Sequence, residues 1–161
     1  MLKFASFDIV FQEVPNEITL AINITGCPNR CPGCHSWHLT EDNGSDLNIE
    51  SLDMLIEPYK GSVSCVCFMG GDSDKATVEE LARHVHNFWG LKTAWYSGCE
   101  SYPTDKNAFD FVKLGGYKSE LGGLKSKSTN QRFYRCNEGL YEDLTYLFWG
   151  RNDPFGETSF L

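Results

Sequence analysis

Four short apolar runs, each stopped by glycine, do more than any other feature to narrow the folds open to this sequence. Residues 18–25 place Leu20, Ile22 and Ile24 alternately against smaller or polar neighbours and run into Gly26, the period of two that marks a strand. Residues 62–69 (SVSCVCFM) are β-branched and apolar and stop at Gly70 and Gly71, as suits a strand buried on both faces. Residues 91–96 end at Ser97 and Gly98, and residues 109–114 end at Gly115 and Gly116. Helical spacing separates some of these runs. Residues 49–59 carry Leu52, Leu55 and Ile56 and stop at Pro58 or Gly61. Residues 77–89 put Val78, Leu81, Ala82, Val85 and Phe88 on one face. Thr77 and Glu80 suit a capping box there, and Gly90 suits the position just past the C-terminus.

The order strand, loop, helix, strand, loop, helix, strand, strand predicts an α/β fold with a mostly parallel sheet and crossover helices. Folds of this kind bind ligands where the strands end. A complete (β/α)₈ barrel takes roughly 250 residues, so a chain of 161 is expected to form a partial, open one. We expect a single domain over residues 1–161, with its core at about 18–136 and a C-terminal extension over 137–161. Where core and extension meet, residues 133–136 and 140–145 flank Asn137-Glu138-Gly139 and suggest a hairpin, although Leu140, Leu144 and Leu147 also suit a helix. The aromatic stretch 146–149 reads as core or subunit contact.

A net charge of −8 argues against nucleic acid as a partner. Against that background residues 113–135 hold Lys113, Lys118, Lys125, Lys127, Arg132 and Arg135 with only Glu120. This is either a solvated loop region or a docking surface for an acidic partner or anionic group. No apolar run approaches the length of a membrane span. The first fifteen residues lack a signal-peptide cleavage pattern, so the expected compartment is the cytoplasm.

Seven cysteines, an odd number, argue against a disulfide framework in such a compartment. Three of them, Cys27, Cys31 and Cys34, fall within eight residues, in a loop where Pro28, Asn29, Pro32 and Gly33 forbid regular structure. A [4Fe–4S] cube normally takes four cysteines. Three would leave one iron open to chelate a substrate, much as catalytic zinc keeps an open position. Such clusters reach down to about −700 mV, low enough to help reduce a sulfonium. Spacing alone leaves a rival, a structural zinc site from Cys27, Cys31, Cys34 and His38. A redox dithiol of Cys31 and Cys34 is a further option, but no helix stands in the right place. Cys65 and Cys67 share one face of a buried strand and read as small core residues. With Cys99 and Cys136 they form no local ligand loop.

The Cys-x₃-Cys-x₂-Cys loop after the first strand resembles the radical S-adenosylmethionine enzymes. Further segments narrow the likeness: Gly26-Cys27 with Pro32-Gly33-Cys34-His35, then Met69-Gly70-Gly71-Asp72, Trp95-Tyr96-Ser97-Gly98, and TNQRFYR over 129–135. In that order they resemble the activating proteins of anaerobic (class III) ribonucleoside-triphosphate reductases, over about residues 18–136. The resemblance implies a radical SAM barrel that binds a [4Fe–4S] cluster on Cys27, Cys31 and Cys34. It also implies reductive cleavage of S-adenosylmethionine to a 5′-deoxyadenosyl radical. That radical would take a hydrogen from a glycine of the large reductase subunit, with electrons from a donor such as flavodoxin or ferredoxin. Action on another glycyl-radical protein or on a small molecule is the variant reading.

The same resemblance implies cofactor contacts. Gly70 and Gly71 would let backbone carbonyls approach the methionyl ammonium, with Asp72 adding a charge-assisted contact. Ser97 would bond the ribose or the methionine carboxylate. Lys113, a cation on a strand, needs a partner; the substrate carboxylate and Asp110 are the options. Thr129 and Asn130 would touch the cofactor, and Arg132 and Arg135 the reductase. Two departures stand out. Gly33 occupies the place where many radical enzymes carry an aromatic residue against adenine, which shifts that contact toward the backbone near His35 and Ser36. Residues 11–16 lack the Gly-Pro-Gly type of sequence often seen in activases.

Overall fold

The computed structural model describes residues 1–34 and 36–149. Among the described residues eight strands form one open sheet in the order β3-β1-β2-β4-β5-β6-β7-β8. They are β1 (Lys3–Val10), β2 (Thr19–Ile24), β3 (Ser45–Asp46), β4 (Cys65–Met69), β5 (Lys92–Tyr96), β6 (Phe111–Leu114), β7 (Arg132–Asn137) and β8 (Leu140–Asp143). The same described residues hold two α-helices, α1 (Ile49–Ile56) and α2 (Lys75–His84). The fold is mixed α/β.

The four runs expected to be strands are β2, β4, β5 and β6, and they pair parallel at the centre of the sheet. The expectation of a mostly parallel sheet is corrected at its flanks. There β1 pairs antiparallel with β2 and β3, and β7 pairs antiparallel with β6 and β8, so antiparallel pairings are the majority. The reason for the missed β1 is a bulge between Phe4 and Ser6. The extra residue shifts the phase of the pleat, so Phe4, Phe7 and Ile9 all pack toward the same core cluster although they are not evenly spaced by two.

Local chemistry sets the helix ends. Asn48 caps α1 in a reciprocal box with Ser51. The helix gives way to a 3₁₀ turn over Glu57–Tyr59, where Pro58 supplies no N–H. For α2 the expected Thr77–Glu80 box is replaced by Asp74. Its carboxylate accepts from the Thr77 amide at 3.2 Å and from the Thr77 hydroxyl at 2.7 Å. A π-helical turn, Val85–Trp89, extends α2 to Gly90, which adopts φ +65° as a left-handed stop. The expected hairpin is β7–β8, turned by Glu138 (φ +50°) and Gly139 (φ +81°), and residues 150–161 of the expected extension lie outside the described residues. Two residues with positive φ are what a tight hairpin of matching twist requires.

Alternation in the central strands divides the core in two. Leu20, Ile22, Val66, Phe68 and Trp95 face α1 and α2. Ala21, Cys65, Cys67, Met69, Ala94 and Tyr96 face the other way, covered by Val14, Leu124, Leu144 and Phe148. Cys65 and Cys67 are fully buried, and burial holds both thiols well above the ordinary range. They are core residues, as their shared face suggested. Of the stretch 146–149, Phe148 is core while Tyr146 is 56% exposed.

Candidate functional site

The C-terminal ends of β2, β4, β5 and β6 open onto one cavity of about 240 Å³. Cys27, Cys31 and Cys34 line it together with Gly70, Asp72, Ser97 and Lys113. The cysteine loop is held from both sides. The Gly26 and Cys27 amides donate to the Glu41 and Leu39 carbonyls at 3.0 and 2.9 Å. Cys31-Pro32-Gly33-Cys34 closes a turn through the Cys34 amide and the Cys31 carbonyl at 3.1 Å. Gly33 sits at φ +75°; proline then glycine at the two central positions is the pattern of a type II turn. All three thiols are free and half-buried.

Asp72 is the polar centre of the site. One carboxylate oxygen accepts from the Ser97 hydroxyl at 2.5 Å; the other accepts from the Gly98 amide at 2.8 Å and the Asn29 side-chain amide at 2.6 Å. Ser97, fully buried, therefore spends its hydroxyl on Asp72, and its oxygen accepts from the Cys99 amide at 3.0 Å. Gly70 and Gly71 act in packing as well as in turning. The Gly70 carbonyl accepts from the Trp95 indole at 2.8 Å, and the Gly71 carbonyl from the Asp74 amide at 3.0 Å. A Cβ on Gly71 would fall 2.4 Å from Val78 of α2.

Lys113 is 2% exposed at the cavity floor. Its ammonium donates to the Gly115 carbonyl at 2.8 Å and the Ser97 carbonyl at 3.3 Å, and stands 5.8 Å from the centre of the Tyr96 ring. Burial pulls its pKa down to about 8, while the charge interactions with Asp72 and with the three cysteines work the other way. Asp110, one of the two partners weighed for Lys113, is committed elsewhere, to His86 at 2.8 Å and the Thr93 amide at 2.8 Å.

The segment 129–135 braces this end of the sheet. The Asn130 and Gln131 side chains donate to the Gly116 and Gly115 carbonyls at 3.0 and 3.4 Å, and the Thr129 hydroxyl donates to the Gly122 carbonyl at 3.0 Å. Of these three residues none lines the cavity. Arg132 and Arg135 lie on β7 and pair with Asp143 (3.7 Å) and Glu142 (2.7 Å) of β8. Lys118 and Lys127 are exposed, in the loop that also carries the lining residues Gly116 and Tyr117.

His35 lies outside the described residues. His38, the proposed zinc partner, is exposed in the turn Trp37–Thr40. Among the described residues no three or more His, Cys, Asp or Glu side chains gather closely enough for a single metal ion. Thiolates on separate irons of a cube stand further apart than ligands of one zinc. Soft sulfur donors on one loop, beside a cavity walled by Ile24, Leu39, Met69 and Tyr96, are a chemically suitable set for an iron–sulfur cluster. Sequence reasoning missed Asn29, Trp37 and Tyr117. Trp37, 67% exposed, lines the cavity, and Tyr117 lies against Gly33, 3.4 Å from where a Cβ would stand. Their signal was proximity to the cysteines and to Gly116, which no local pattern marks. Comparison with protein-family models, with curated proteins and with solved structures found no match.

Proposed function

We propose that this chain is a radical SAM activase, holding a [4Fe–4S] cluster on Cys27, Cys31 and Cys34 and generating a glycyl radical on the large subunit of anaerobic ribonucleoside-triphosphate reductase. The observation that carries the reading is the convergence of three half-buried free thiols, Asp72 and Lys113 on one cavity at the ends of four parallel strands. Those strands are read as the centre of a partial, open (β/α) barrel of the radical SAM type. When bound, the cluster supplies the electron that splits S-adenosylmethionine, and a one-electron donor such as flavodoxin or ferredoxin replenishes it in the cytoplasm.

The remaining work falls to the chain's own groups. An ionised carboxylate offers about four acceptor directions. Ser97, Gly98 and Asn29 occupy three on Asp72, which leaves one for the methionyl ammonium. Lys113 offsets the negative charge gathered by three thiolates and a carboxylate in a poorly solvated site. Gly70 lies beside the mouth with its carbonyl already shared with Trp95, so it shapes the site more than it binds. The open mouth, flanked by Trp37 and Tyr117, suits a loop presented by a protein better than a small molecule enclosed by a barrel.

Anaerobic reconstitution with iron and sulfide tests this. The expected product is brown, absorbs broadly near 400 nm (on the order expected of thiolate-to-iron charge transfer) and is reducible by one electron. With S-adenosylmethionine, reductant and the large reductase subunit it yields a glycyl-radical doublet in electron paramagnetic resonance. A colourless protein that holds one tight zinc sinks the proposal. A reducible cluster that gives no doublet with the reductase removes the partner and leaves the cluster.

A further inference from the structure

Asn29, within the cysteine loop, reaches across to Asp72, and every polar atom of its side chain is engaged. Its Nδ2 lies 2.6 Å from Asp72 Oδ2 and 3.7 Å from Cys27 Sγ, while its Oδ1 accepts from the Cys99 thiol at 3.7 Å. A carboxylate only accepts, so the amide must turn its NH₂ toward Asp72. That choice aims the second hydrogen of the same nitrogen at the Cys27 sulfur. Asp72 is in turn fixed by Ser97 and the Gly98 amide at the end of β5. Space for the amide exists because residue 98 is glycine: a Cβ there would fall 2.4 Å from Asn29 Nδ2.

We propose that Asn29 is a positioning residue whose N–H bond to Cys27 raises the reduction potential of the cluster carried by that loop. The inference rests on the cluster reading above. A hydrogen bond to a ligating thiolate draws charge from the sulfur and favours the reduced, more negative cluster; such bonds are among the main levers on iron–sulfur potentials. Asp72 then does two things at once, orienting the amide that tunes Cys27 and presenting its remaining acceptor direction to the cavity.

The test is a redox titration of the anaerobically reconstituted protein, free of S-adenosylmethionine, followed by electron paramagnetic resonance of the reduced cluster. In Asn29→Leu the ratio of reduced to oxidised cluster at a given potential falls about tenfold, a drop of about 59 mV for one electron. Gly98→Ala keeps Asn29 but displaces its amide, and it shifts the midpoint the same way; it serves if Asn29→Leu does not take up the cluster. Cys99→Ala removes only the partner of Oδ1 and leaves the midpoint in place. Wild-type midpoints in Asn29→Leu and Gly98→Ala overturn the proposal. So does an equal shift in Cys99→Ala, which would trace the effect to loop packing. A wild-type protein that forms no reducible cluster fails at the earlier step, and both readings fall together.

Discussion

Lys113 shows most clearly what a single residue contributes at this site. A buried ammonium is expensive to keep charged, and its chain partners are the carbonyls of Ser97 and Gly115, which hold the ends of β5 and β6 together. Its folded pKa of about 8 lies below the ordinary 10.5. Between those values the unfolded chain keeps a proton that the native chain has released, so this group's contribution to stability rises with pH across the window. Below pH 8 the penalty is present in full. Chemical unfolding of the cluster-free protein at several pH values checks this. Stability of the wild type relative to Lys113→Met climbs from pH 8 to 10.5 by up to about 3 kcal/mol. A difference that stays flat with pH would remove the buried-cation account.

At the scale of elements, the far end of the sheet is tied by a histidine. His86, on the π-helical turn after α2, shares its Nε2 with Asp110 at 2.8 Å and the Thr93 hydroxyl at 3.0 Å, joining that turn to the starts of β5 and β6. The Asp110 hydrogen bond raises the His86 pKa against the opposing effect of burial. Burial likewise disfavours an ionised Asp110, yet the His86 and Thr93 bonds hold its carboxyl below the usual range. The sign follows from linkage. Stabilisation by protonated His86 is fully present below about pH 6.5 and fades as pH rises through the elevated native value. Replacement by a neutral donor, His86→Asn, should therefore cost most at low pH. After allowance for solvent screening the loss is about 1 kcal/mol, and it narrows above neutrality in thermal melts. Equal losses at pH 5.5 and 8.5 would show a packing effect with no charge component.

For the molecule as a whole, an acidic chain carries exposed Lys118 and Lys127 on the loop whose Gly116 and Tyr117 line the cavity. Arg132 and Arg135 are already matched by Asp143 and Glu142, so a docking role for the basic segment falls to Lys118 and Lys127. Charges at the edge of an interface act mainly through encounter rate and salt dependence. On the activase reading proposed above, Lys118→Glu with Lys127→Glu slows association with the large reductase subunit about tenfold at low salt. The effect shrinks as salt is raised, and the cluster spectrum stays unchanged. Stopped-flow or surface-binding kinetics would read it, and unaltered association would move the docking surface elsewhere.

Much of this architecture was legible along the chain because it rests on local chemistry. Alternation of Leu20, Ile22 and Ile24 marks β2, the apolar run through Val66 and Phe68 marks β4, and Gly90 and Gly139 stop a helix and turn a hairpin. The cysteine loop announces itself by spacing alone. The antiparallel flanks were not legible, because the bulge in β1 breaks the period that would have revealed it. Nor were the partners within the site. Asn29 and Asp72 are 43 residues apart, and only the parallel pairing of β2, β4 and β5 brings the loops that carry them to the same end. The three thiols belong to the sequence by itself. Asp72 and Lys113 were named along the chain by resemblance, but their gathering with the Asn29 amide around those thiols is the work of the sheet, since hydrogen bonds between strand-end loops form only after distant strands have found their register.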